Sequence, residues 1–116
     1  MSLSYRKSVT DMPARISKDE FDSEVLSSEL PVLADFYSDS CIPCKRMSPI
    51  LSQLETEYAD KIKIVKINTN FEKELVEKYS IQAAPTLILF NKGAEVSRIR
   101  GAVKKDEIIT LIDNTI

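Results

Sequence analysis

Two cysteines separated by two residues, Cys41-Ile42-Pro43-Cys44, stand out in a chain of 116 residues that contains no histidine. Sulfurs at i and i+3 on the first turn of a helix lie one above the other and can approach within disulfide range. The chemistry open to such a pair is thiol–disulfide exchange, in which a thiolate attacks a disulfide sulfur and the second thiol resolves the mixed disulfide. The missing histidine excludes Ser-His and Cys-His nucleophiles. Zinc held by Cys and His alone is excluded too, because four such ligands do not exist in one chain. A structural pair of cysteines, or a metal completed by carboxylates, is the competing reading at this point.

Position favours exchange. The pair follows a mostly apolar run, Val32 to Tyr37, and opens a segment whose apolar residues Met47, Ile50, Leu51, Leu54 and Tyr58 recur at helical spacing. A helix start favours thiolate over thiol at the sulfur nearest its free amides. Cys41 is therefore the expected nucleophile, and Cys44, one turn inside, the resolving thiol.

The elements that must hold this turn can be read around it. A short edge strand is expected at Ala14 to Ile16. A capping box, Ser17 to Glu20, opens a helix from Lys18 to about Ser27. Val32 to Tyr37 reads as a strand buried on both faces. The helix after the cysteines reaches about Ala59, with Pro49 expected to kink it. Ile62 to Ile67 is a parallel partner strand, reached by a right-handed crossover. Asn70 is expected to cap a helix over Phe71 to Tyr79. Thr86 to Phe90 and Glu95 to Arg100 form a hairpin across Asn91-Lys92-Gly93. A last helix runs from Lys105 to Asn114.

Composition bounds the rest. Hydrophobic residues make up 43% and charged residues 29%, with a formal charge of −2, which is the balance of one globular domain. No basic cluster suits a phosphate backbone, so nucleic acid is not an expected partner. The apolar runs are far shorter than the roughly 20 residues that cross a bilayer, so no membrane is expected. Residues 1–10 lack the pattern of a secretory signal, which makes the cytoplasm the expected compartment.

Ala34-Asp35-Phe36-Tyr37, Cys41-Ile42-Pro43-Cys44-Lys45 and Ala84-Pro85-Thr86 before an apolar strand resemble the thioredoxin family, over roughly Lys18 to Ile116. The resemblance implies an α/β, thioredoxin-like fold with a central mixed β-sheet flanked by helices on both faces. One domain over residues 13–116 would follow a flexible end at 1–12. It implies reduction of protein disulfides by a monomer that draws electrons from a thioredoxin-reductase-like donor. The only redox group would be the Cys41–Cys44 disulfide, with no cofactor and no metal.

The same resemblance assigns roles. Asp35 would be a buried carboxylate of raised pKa that moves a proton as Cys44 attacks, and Lys66 resembles the lysine beside this acid. Pro85 resembles a proline preceded by a cis peptide bond. With Ala84 it would face the cysteines and pair with an extended substrate segment. Gly93 and Gly101 fall where the family has glycine. Ser40, Ile42, Pro43, Ala84, Pro85 and Gly101 form the expected substrate-facing set, and several of them depart from the family. Ser40 replaces a usual tryptophan, Ile42 a usual glycine, and Ala83-Ala84 a common Gly-Ile pair. These departures leave two other readings in view. One is an adaptor that binds partners with little redox activity, and the other is an oxidant or isomerase in an oxidising compartment.

Overall fold

A computed structural model describes residues 13–116, so the expectation for residues 1–12 lies outside the described residues. Five strands form one sheet in the order β1-β3-β2-β4-β5. They are β1 (Ala14–Arg15), β2 (Val32–Tyr37), β3 (Lys63–Asn68), β4 (Thr86–Asn91) and β5 (Ala94–Arg100). β1, β3 and β2 run parallel, while β4 and β5 are antiparallel to their neighbours. This is the mixed sheet that the sequence implied.

All six residues of β2 are buried, as a central strand covered on both faces requires. Alternate side chains feed two cores. One face gathers Val32, Ala34 and Phe36 with Val65, Ile67, Ile88 and Phe90, under Phe21, Val25 and Leu75. The other gathers Leu33, Ile64, Leu87 and Leu89 under two helices. These are α2 (Ile42–Glu57), through Met47, Leu51 and Leu54, and α4 (Lys105–Thr115), through Ile108 and Ile112.

Two local details differ from the expectation. The first helix, α1 (Lys18–Phe21), widens after one turn into a π-helical stretch, Asp22–Leu26, marked by the Ser27 amide donating to Asp22 O at 2.9 Å. Lys63 Nζ holds this stretch by donating to the Glu24 carbonyl at 2.9 Å. α3 (Lys73–Lys78) starts later than Asn70 would place it, with Glu72 at its N-cap. Asn70 is engaged elsewhere, because its Oδ1 accepts the Asp39 amide at 3.2 Å. As expected, Pro49 lies inside α2, on an exposed turn.

The hairpin turn falls at Lys92-Gly93, with φ of 54° and 81°. Two consecutive positive φ values are what a two-residue turn between right-twisted strands demands.

Candidate active site

β2 delivers the chain to the turn Ser38–Ser40, and α2 begins at once. Cys41 occupies its N-cap with extended backbone (φ −86°, ψ 109°), and its Sγ accepts the Cys44 amide at 3.1 Å. An N-cap acceptor satisfies one of the free amides of a first turn, and here that acceptor is sulfur. Pro43 in the first turn needs no amide partner. Cys41 and Cys44 are joined as a disulfide with their Cα atoms 5.2 Å apart.

The two sulfurs differ in access. Cys44 continues the buried stripe Met47, Leu51 and Leu54 and is only 4% exposed, whereas Cys41, one turn earlier, is partly open to solvent. Between them Ile42 is 62% exposed. Fully burying an isoleucine side chain is worth roughly 1.5–3 kcal/mol, and among the described residues this one stays mostly uncovered.

The start of β4 borders the same end of the sheet, since Phe36 near the end of β2 pairs with Thr86. The Ala84-Pro85 peptide bond is cis. Pro85 is buried, and its carbonyl accepts the Gly101 amide at 2.8 Å, which ties the end of β5 to this corner. Thr86 Oγ1 donates to Ala83 O at 2.7 Å. Ala84 itself lies before the first paired residue of β4, outside the ladder. Ser40, Ile42 and Pro43 follow β2, Ala84 and Pro85 precede β4, and Gly101 follows β5, so all six lie toward the same end of the sheet.

Beneath the motif lies Asp35. It shares a sheet face with Leu33, the face that α2 covers, because alternate residues of a strand point the same way. Both of its carboxylate oxygens are buried without a hydrogen-bond partner among the described residues. Burial raises its pKa from an ordinary 3.8 to about 7, with the charge of Lys66 partly opposing the rise. Lys66 is the register partner of Asp35 on β3. Burial lowers its pKa, Asp35 raises it, and the neighbouring charge of Arg15 lowers it again.

Three further residues, Ser48, Tyr37 and Arg15, belong to this neighbourhood and were not among the expected site residues. Ser48 accepts a hydrogen bond from Lys66 Nζ at 3.3 Å. Tyr37, which reads as simple packing, carries Lys66 Nζ 4.5 Å and the Arg15 guanidinium 6.0 Å from its ring centroid. Only Ser48 was within reach of a sequence argument, as it lies one helical turn beyond Cys44. Among the described residues no three His, Cys, Asp or Glu side chains converge as a metal site. No helix there is long and apolar enough to cross a membrane.

Comparison with known proteins agrees with this geometry. Residues 12–114 match the family model described as Thioredoxin. "Thioredoxin 1" of Synechococcus elongatus is 35% identical over 86% of this chain and 94% of its own length. "Thioredoxin" of Rickettsia bellii is 34% identical over 90% of this chain and 100% of its own. A rice relative, "Thioredoxin M5, chloroplastic", is 36% identical over 90% of this chain and 61% of its own length.

Proposed function

Because this chain belongs to the thioredoxin family and is a thiol–disulfide oxidoreductase, we propose that it reduces protein disulfides, with Cys41 attacking and Cys44 resolving. The observation that supports this most is the asymmetry of the pair. One sulfur sits half-open at a helix N-cap, bonded to another buried one turn inside.

In the reduced protein the free amides at the start of α2 stabilise a thiolate at Cys41. That thiolate attacks one sulfur of the partner's disulfide. An S–S bond forms between Cys41 and the partner, the partner's own S–S bond breaks, and its second sulfur leaves as a thiolate. Cys44 then loses its proton and attacks Cys41 Sγ. The Cys41–Cys44 disulfide forms, and the partner's first sulfur departs reduced. Two electrons have passed to the partner, and an external dithiol must return them.

Asp35 is the acceptor proposed for the Cys44 proton. A carboxyl held near 7 by burial is ionised often enough to take a proton and protonated often enough to return it. Lys66 acts through Asp35, as a positioning charge. Ala84, outside the sheet ladder and next to the cis bond, offers main-chain groups to an extended partner segment. Ser40, Ile42, Pro43, Pro85 and Gly101 form the surrounding contact surface, with Ile42 its apolar contact. Residues 13–116 act as one monomeric domain in the cytoplasm, using a thioredoxin-reductase-like donor and no cofactor beyond the disulfide.

The test is turnover of a protein disulfide with dithiothreitol as electron source, measured for the wild type and for Cys41→Ser. Turnover that disappears in the variant is the expected result. Equal inertness of the two proteins overturns the reading.

A further inference from the structure

Arg15, Lys66 and Asp35 form one row across three strands, since Arg15 pairs in register with Lys66 and Lys66 with Asp35. Register partners share a sheet face, here the face that α2 covers. Burial falls along the row, from Asp35 in the interior through half-buried Lys66 to exposed Arg15 at the sheet edge. Both cations lean over the ring of Tyr37. Beside them opens a cleft of about 180 Å³, whose walls include Cys44, Lys45, Ser48, Tyr37, Lys66 and Arg15.

Three cations thus line a hollow that touches the buried cysteine. Among the described residues none of the three is in an ion pair with a carboxylate. The one carboxylate on the rim, Asp39, has its Oδ1 occupied by Asn68 Nδ2 at 3.0 Å. Burial is the main cause that weakens proton binding at Lys66, and repulsion from Arg15 adds to it. An anion seated between them would relieve that repulsion.

We propose that this cleft receives the carboxylate of an acidic residue flanking the disulfide under attack, so that the chain prefers partner segments with Asp or Glu beside the target cysteine. The inference rests on the disulfide-reductase reading and names its substrate class. The hollow adjoins the reacting pair: Cys44 forms part of its wall, and the two cysteine Cα atoms are 5.2 Å apart. The hollow lies on the β3 side of β2 and Pro85 on the β4 side. A partner would be held by charge on one flank and by main chain on the other.

The experiment compares two disulfide-bridged peptides that differ only by Glu or Gln two residues from the attacked cysteine. The full chain reduces each at fixed ionic strength, and every rate is divided by that peptide's rate with dithiothreitol alone. The expected result is kcat/KM about threefold higher for the Glu peptide, the scale of one exposed charge pair. The double substitution Arg15→Gln with Lys45→Gln should bring the ratio near one, and Arg15→Lys should keep it. Equal rates in the wild type, or a preference that survives the double substitution, overturn the inference and leave the reductase reading standing. Reduction of neither peptide overturns that reading, and the inference with it.

Discussion

Asp35 and Lys66 stand opposite each other on adjacent parallel strands, yet the ammonium donates to Ser48 Oγ while both carboxylate oxygens have no hydrogen-bond partner among the described residues. The pair interacts through space, without contact. A carboxyl so placed keeps its proton to unusually high pH, because burial penalises its ionised form more than Lys66 rewards it.

Stability should therefore fall with rising pH. The folded pKa of Asp35, about 7, lies above its ordinary 3.8, so between these values the folded state binds more protons than the unfolded state. The penalty is absent below about 3.8, grows through the interval and is complete above about 7. Asp35→Asn should stabilise the oxidised protein at pH 8 by up to about 4 kcal/mol and by little at pH 4. Urea denaturation at the two pH values checks this, and an equal effect at both would contradict it.

Lys66→Met should move the Asp35 titration upward from about 7, because the lysine charge is what holds it down. Neighbouring charges act on the scale of about 1 pKa unit or more. NMR titration of the Asp35 carboxyl carbon reads the shift directly. An unchanged midpoint would mean that the two charges do not communicate.

How far these features were legible in the sequence depends on how local they are. β2, the Cys41-Cys44 turn and the Lys92-Gly93 hairpin each announce themselves within a few residues, by apolar run, spacing and turn chemistry. The Arg15, Lys66, Asp35 row does not: the family resemblance sets Lys66 beside Asp35, but Arg15 joins them only through the register of strands distant in the chain. Asn70 was misleading for a similar reason. Its side chain has the right chemistry for a cap, but a partner 31 residues away takes it first. The π-helical stretch escapes a reading based on 3.6-residue periodicity because a distant lysine, Lys63, helps to hold it.

Ile42→Ala should raise KM for a protein disulfide several-fold and leave the reduction of a small aromatic disulfide nearly unchanged. The side chain is 62% exposed beside the two cysteines, and in the proposed reading it contributes to association with large partners. Steady-state kinetics with the two substrates checks the split. Equal losses for both would place Ile42 in the chemistry of the motif.

The two glycines should respond differently to alanine. Both have positive φ, 81° at Gly93 and 88° at Gly101, so each substitution costs about 1 kcal/mol in backbone strain. A Cβ at Gly93 would also press on Leu26 O at 3.1 Å, while one at Gly101 meets nothing within 4 Å. Gly93→Ala should therefore lower the urea midpoint more than Gly101→Ala, and the reverse order would contradict the packing described.

The division of labour between the sulfurs is tested most directly by intact-mass spectrometry of two single-cysteine variants incubated with a disulfide peptide. Reduced Cys44→Ser should accumulate a mixed disulfide at Cys41, because the residue that would release the peptide is gone, while Cys41→Ser should gain little. Adducts forming equally on both variants, or only on Cys41→Ser, would contradict the assignment of Cys41 as nucleophile.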